Sequence, residues 1–213
     1  MLFIFRRRTA ELTPEIIDLP ARDSGRAAAA MPTIRNLLRD ETRYAHEALD
    51  RSLAGFELAD PHSYAAFLRF HARARTGVER WLDAVAPEGS APPSQVALIA
   101  SDLGALDAGT LPSGPDFAPS PAADWLGVAY VVAGSHLGNR FLLAGAENAI
   151  PAGARRFLGG ETMNPYWKAL QQPLGAKATA VDARGIVAGA LAAFAHFAKC
   201  APEFAAAGRP AAA

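Results

Sequence analysis

Two residues near the N-terminal end of the chain, His46 and Arg39, have the types and spacing to bind one ligand together. A neutral imidazole is a good metal ligand, and a guanidinium pairs with carboxylates and phosphates. In a helix, the seven-residue spacing would place both on one side, about 10.5 Å apart along the axis. A ligand bound through His46 would therefore present an anionic edge to Arg39. The alternative for His46 is a half-buried histidine satisfied within the core.

A second segment, residues 127–145, reads GVAYVVAGSHLGNRFLLAG and has the apolar content of a buried helix. Each glycine inside a helix costs about 1 kcal/mol relative to alanine, which this chain uses freely elsewhere. Gly134 and Gly138 would lie on one helical face about 40° apart, with Tyr130 and Phe141 close to it. This predicts a groove without side chains between two aromatic rings, in which a flat ligand would lie against the backbone. Close helix packing or a kink is the alternative.

The other four histidines are weaker candidates for a ligand. His71 falls inside a continuous apolar stripe, which favours a core position, and His62 lies in a first helical turn, where we expect it to be solvated. His136 would point about 200° away from Gly134, and so away from the groove. His196 belongs to the last predicted helix.

Composition limits the class of protein. The 213 residues suit one domain, and 21 basic against 21 acidic residues give no net charge and no footprint for nucleic acid. Cys200 is the single cysteine, which excludes an internal disulfide and fits a reducing cytoplasm. Apolar runs are shorter than a membrane span, so no membrane insertion is expected. Because period-2 alternation is missing, we predict an all-α fold.

Capping residues and breakers locate the helices. Thr33 predicts a helix over residues 34–53, and the Asp60-Pro61 pair predicts one over 61–85. Ser94 is expected to cap a short helix ending near 106. Further helices are expected over about 122–148, 151–158, 165–172 and 176–200. The proline-rich segment 109–122 is a functional loop or a solvated connector. Residues 1–30 are expected to be a poorly ordered extension, 31–206 one helical domain, and 207–213 a flexible tail.

Two segments together resemble one family. LRDETRYAHEALD, which contains Arg39 and His46, is similar to the proximal helix of heme oxygenases. YVVAGSHLGN resembles their glycine-rich distal helix, in the form found in bacterial enzymes associated with bacteriophytochromes. The intervening YAAFLRFHARARTGVERWL also looks like that branch, and the likeness covers about residues 33–206.

The resemblance implies a single-domain helical bundle with b-type heme sandwiched between these two helices. His46 would be the axial iron ligand, and Arg39 would meet a heme propionate. Gly134 and Gly138 would let the distal helix cross close above the iron, with Ser135 beside them and with Tyr130 and Phe141 at the heme. Heme would be both cofactor and substrate, opened by O2 to biliverdin with release of carbon monoxide and ferrous iron. Electrons would come from a ferredoxin or flavoprotein reductase, and a bacteriophytochrome would receive the biliverdin.

The chain departs from the family pattern at two positions. Asn139 stands where many relatives have a second glycine, and Ser135 stands where animal enzymes carry an aspartate that orders distal water. The second departure puts the proton-delivery network in doubt. Lys168 and Arg184 join Tyr130 as further candidates for the propionates.

Two other interpretations stay open at this point. A non-catalytic heme carrier or sensor on the same fold would use the same His46 and the same glycines. A helical scaffold or partner protein would have no cofactor at all.

Overall fold

The computed structural model describes residues 31–205, without the side chains of 180–182 and 205. In that range the chain is all-α, as predicted, and contains no β-strand. The helices are α1 (Ile34–Leu53), α2 (Pro61–Val85), α3 (Val96–Ala105), α4 (Trp125–Ala146), α5 (Arg156–Gly159), α6 (Met163–Leu174), α7 (Ala180–Cys200) and α8 (Pro202–Ala205), with a 3-10 turn at Ala152–Ala154. The predicted extension 1–30 and tail 207–213 lie outside the described residues.

The first two helices begin where their caps predict. The Thr33 hydroxyl accepts the backbone N–H of Asn36 at 3.2 Å, and the Asp60 carboxylate accepts that of Ser63 at 2.7 Å. Pro61 occupies the first helical position of α2, where its missing N–H removes no helical hydrogen bond. Each cap satisfies a donor that the first turn leaves unpaired, so the predicted bounds of both helices are confirmed.

Three helices, α1, α4 and α7, run in the same direction. The backbone N–H of Ile34 donates to the carbonyl of Ala176, just before α7, and twelve residues later His46 contacts Phe194. At the start of α4, Asp124 donates its N–H to Gly185 in α7. Further along both helices, Ser135 of α4 and the Phe197 ring of α7 meet the same side chain, that of Arg75. Residues of α1 and α4 can therefore be placed level with one another by counting along α7.

Two glycines allow α4 and α7 to touch backbone to backbone. A Cβ added to Gly127 would fall on the carbonyl oxygen of Ile186, and one added to Gly189 would fall on that of Asp124. Only glycine leaves room for such a close approach. Gly127 therefore serves helix packing, the alternative considered above for the glycine-rich segment.

The proline-rich connection between α3 and α4 lies along α2. Arginines of α2 hold it: Arg69 donates to the carbonyl of Ala108, Arg73 to that of Ser113 at 2.6 Å, and Arg80 to the carboxylate of Asp116 at 2.9 Å. A Cβ at Gly77 would approach the carbonyl oxygen of Pro115 to 2.5 Å, so the contact is close. The loop is a connector fixed to α2.

Three predicted helix starts differ from the structure, two of them because of tertiary contacts and one because of a local cap. Ser94 does not cap α3, because its hydroxyl donates to the carboxylate of Glu79 at 2.7 Å. α4 begins at Trp125, because the carboxylate of Asp124 accepts the N–H of Leu126 at 2.7 Å. α7 begins at Ala180, because residues 176–178 pair with residues 32–34 instead.

Among the described residues, one segment passes a test of length and hydropathy for a membrane span, which the sequence-based prediction did not expect. The segment Ala183–Phe204 has a mean hydropathy of 1.3 in its most apolar window, and 50% of that window is buried inside the fold. Core helices of globular proteins pass the same test, so this feature is weak evidence for a membrane.

Candidate functional site

The imidazole of His46 is held from one side and open on the other. Its Nδ1 lies 3.1 Å from the carboxylate of Asp50, one turn later in α1, and its ring meets Phe194 edge-on at 5.7 Å between centroids. A carboxylate only accepts hydrogen bonds, so Nδ1 carries the proton and donates it. In the neutral ring, Nε2 then has a free lone pair. His46 is 46% exposed, so this nitrogen can meet a ligand.

The pKa of His46 follows from this contact. The hydrogen bond to Asp50 raises the pKa above the ordinary value of 6.5, and partial burial opposes it. A carboxylate behind a metal-binding histidine fixes the ring orientation and makes the ligand more basic. Asp50 is the last residue of the motif LRDETRYAHEALD, but the sequence analysis assigned it no function. Its i+4 spacing from His46 was the available signal.

An electrostatic influence links Tyr130 of α4 to two arginines of α1. Burial raises the pKa of Tyr130, while the positive charges of Arg35 and Arg39 lower it. The Tyr130 hydroxyl on α4 is therefore within electrostatic reach of two α1 arginines. Arg39 is 49% exposed, and its Nε donates to the neighbouring Asp40 carboxylate at 3.1 Å. Its exposed charge could therefore pair with an anionic group of a ligand.

Counting from Arg39 and Tyr130 along the two helix axes puts His46 level with the glycines of α4. His46 lies about 10.5 Å beyond Arg39, and Gly134 and Gly138 lie about 6 and 12 Å beyond Tyr130. Since α1 and α4 run in the same direction, His46 is level with the segment from Gly134 to Gly138. The contact of His46 with Phe194 agrees, because Phe194 follows the residues of α7 that touch Gly127.

The face of α4 that carries Gly134 and Gly138 is apolar, and its large side chains are exposed to solvent. Leu137 is 38% exposed and Phe141 is 47% exposed, unusual values for large apolar side chains that share one helical face. A Cβ at Gly145 would meet nothing within 4 Å, and Gly138 is partly buried. We call the space between this face and His46 the cleft. Its walls suit a flat apolar ligand with anionic groups toward Arg39.

The expected groove is not free of side chains along its whole length. The nearest atoms to a Cβ at Gly134 are Cζ3 and Cη2 of Trp167, at 3.8 and 3.9 Å. The prediction of an empty groove was therefore wrong at Gly134, because α6 carries an indole to that point. Trp167 was missed, since nothing local in its sequence relates it to α4.

Ser135 is turned toward α2. Its hydroxyl accepts a hydrogen bond from Arg75 Nη2 at 2.6 Å and donates to the Val132 carbonyl at 2.8 Å. Arg75 is 1% exposed, and its partial counter-ion Glu79 lies 3.9 Å away. Burial lowers the pKa of Arg75 and Glu79 raises it. The sequence reading missed Arg75, although a charged residue in the buried stripe of α2 was a visible signal.

The other histidines occupy different environments. His71 is enclosed by aromatic rings, and burial holds its pKa well below 6.5. His136 is 2% exposed, and burial lowers its pKa as well. His196 Nε2 lies 3.1 Å from the carbonyl of Ala74, and His62 is exposed near the start of α2. None of these four histidines lies on α1: two are in α2, one is in α4 and one is in α7.

Comparison with known proteins adds one solved structure. No protein-family model matches the chain, and no curated protein matches it. The chain is similar to the crystal structure of the NO- and CO-bound heme oxygenase from Neisseria meningitidis, with a TM-score of 0.66 and 23% sequence identity. The likeness covers 85% of this chain and 95% of that one. The chain has the heme oxygenase fold. At this identity the comparison shows the fold alone, and the fold agrees with the bundle expected from the sequence.

Proposed function

We propose that the protein is a heme oxygenase, which opens heme to biliverdin with release of carbon monoxide and ferrous iron. The observation that carries the proposal is His46, braced by Asp50 and level with the glycine-rich face of α4 in a chain of this fold. The shared fold makes the proposal specific. The side chains give it a chemical basis.

The residues of the cleft match the chemistry of heme. Heme is a flat apolar ring with an iron at its centre and two carboxylates on one edge. Nε2 of His46 would be the atom that binds the iron. The exposed Leu137 and Phe141 would be covered by the ring, which removes apolar surface from water. The charges of Arg35 and Arg39 lie at one end, where the propionates would be neutralised.

Each part of the chain has a definite task in the proposed reaction. When bound, heme supplies the iron that activates O2 toward its own ring. His46 holds the ring from α1, and Asp50 keeps Nδ1 protonated so that Nε2 remains the ligand atom. On α4, the glycine at position 138 would present backbone to the heme in place of a side chain that could compete with His46 for the iron. Ser135, held by Arg75 and donating to Val132, keeps one acceptor position with which its hydroxyl would position a water.

Electron donor, product recipient and location are proposed from the sequence. No flavin- or nicotinamide-binding motif is evident, so the donor would be a separate ferredoxin or flavoprotein reductase. Following the resemblance to the phytochrome-associated branch, a bacteriophytochrome would receive the biliverdin. The single cysteine supports a cytoplasmic location.

Anaerobic binding followed by turnover tests the function. Hemin is titrated into the protein, the complex is reduced, and O2 is admitted while absorbance is followed. We expect a histidine-bound spectrum, its loss on aerobic reduction, and biliverdin and carbon monoxide in stoichiometric amounts. Binding without ring opening would indicate the carrier or sensor, and no spectral change with hemin would refute both.

A further inference from the structure

The indole of Trp167 lies at one end of the cleft. It is 6.1 Å from the Tyr130 ring between centroids, with the planes at 40°, and it also faces Gly134. Phe141 follows Gly134 by seven residues on the same helix, about 10.5 Å further along. The glycine face of α4 is therefore covered near Gly134 and uncovered toward Phe141.

The helix that carries Trp167 is firmly attached to the rest of the fold. Met163, Leu170 and Leu174 of α6 are at most 4% exposed. The hydroxyl of Tyr166 donates to the carbonyl of Ser90 at 2.8 Å. Because its neighbours in α6 are fixed in this way, we expect Trp167 to keep its position when a ligand binds.

We infer that Trp167 is the end wall of the cleft and sets how far a porphyrin enters along α4. This inference rests on the proposed function. The indole fills the space in front of Gly134, so a rigid ring lying on α4 must rest its edge against Trp167 and extend toward Phe141. The position of that edge would set the in-plane rotation of the porphyrin. The rotation in turn would decide which meso edge of the ring lies near the backbone at Gly138. Trp167 is thus a positioning residue that selects the seating of the ring.

The test compares Trp167→Ala and Trp167→Phe with Trp81→Phe, a tryptophan that packs on Phe117 outside the cleft. Zinc protoporphyrin serves as a probe that is not turned over, and its affinity is measured by absorbance. An edge contact between aromatic rings corresponds to roughly a two- to tenfold change in affinity. We expect Trp167→Ala to bind about three- to tenfold more weakly, Trp167→Phe about twofold more weakly, and Trp81→Phe as the wild type does.

Seating is read by NMR of the ferric cyanide complex with hemin, in which the heme methyl resonances report in-plane orientation. We expect one dominant set in the wild type and a second set in Trp167→Ala, accompanied by a broader mixture of biliverdin isomers. Identical affinity and identical resonances in wild type and Trp167→Ala would overturn the inference and leave the proposed function standing. If circular dichroism shows that Trp167→Ala does not fold, the same NMR experiment is carried out on Trp167→Phe. A second set of heme methyl resonances in Trp167→Phe supports the inference, and resonances identical to those of the wild type overturn it. A wild type that binds no porphyrin refutes the proposed function instead.

Discussion

Replacing Asp50 by asparagine removes the charge behind His46 and keeps a hydrogen-bond acceptor. The carboxylate oxygen is 3.1 Å from His46 Nδ1, and this hydrogen bond is the largest influence that raises the pKa of His46. The amide oxygen of asparagine can accept from the same N–H, so the tautomer is preserved. We expect the pKa of His46 to fall in Asp50→Asn, because partial burial would then be less strongly opposed.

The sign of the effect on stability follows from the raised pKa. The interaction stabilises the ligand-free protein fully below the pKa of the unfolded chain, and the contribution is lost as pH rises through the higher folded-state pKa. Asp50→Asn should therefore be less stable than the wild type at about pH 5.5, and the difference should shrink as pH rises through the folded-state pKa of His46. Because His46 is 46% exposed, we expect a difference of less than about 1 kcal/mol.

Heme affinity gives the second measurement. Removing the partner of a metal-bound histidine costs about ten- to one-hundredfold in metal affinity, and the exposure of this pair favours the lower end. Hemin titrations at a pH above the measured folded-state pKa of His46, where the ring is neutral, should show roughly tenfold weaker binding by Asp50→Asn.

The matched control is Glu47→Gln, which removes the weakest of the influences on the pKa of His46. It should leave the pKa and the hemin affinity nearly unchanged. The pKa values are read from the ring 15N shifts of His46 during a pH titration. Equal pKa values in wild type and Asp50→Asn would show that the hydrogen bond does not hold His46 in solution, and the reasoning about Nε2 would fail with it.

Three further predictions use other residues. His46→Ala should keep its helical circular dichroism but lose the histidine-bound heme spectrum and nearly all ring opening; a normal spectrum would move the ligand elsewhere. Gly127→Ala should lower the free energy of unfolding by about 1–3 kcal/mol, because its Cβ would meet the Ile186 carbonyl, whereas Gly134→Ala should be neutral or stabilising in the heme-free protein; urea unfolding that ranks them the other way would contradict the packing described. Arg39→Ala should weaken hemin binding by no more than about fivefold and change the biliverdin isomers; unaltered affinity and products would remove its role.

Local sequence was sufficient where local chemistry decides the structure. The starts of α1 and α2 followed from Thr33 and from Asp60-Pro61, because a cap acts on backbone groups two or three residues away. Ser94 shows the limit of that reasoning. It has the right side chain for a cap, but its hydroxyl donates instead to the carboxylate of Glu79, fifteen residues back in the chain.

The cleft was predictable in outline and not in detail. His46, Arg39 and the glycines could be selected by helical spacing, because α1 and α4 are regular. Trp167 could not, since its place beside Gly134 depends on how α6 returns across the bundle. The contact of Arg75 with Ser135 likewise depends on the packing of α2 against α4.

Two glycines of α4, Gly127 and Gly134, have different physical explanations. At Gly127 a side chain is excluded by the backbone of α7, so packing alone explains the glycine. At Gly134 the nearest neighbour of an added Cβ is the Trp167 ring at 3.8 Å, an ordinary van der Waals distance. Alanine would fit there in the heme-free protein and would favour the helix by about 1 kcal/mol. Packing therefore leaves this glycine unexplained, and local rules are most often broken where function requires it. We propose that a ligand whose edge rests against Trp167 supplies the missing reason, because a methyl group at Gly134 would stand beside the indole where that edge comes to lie.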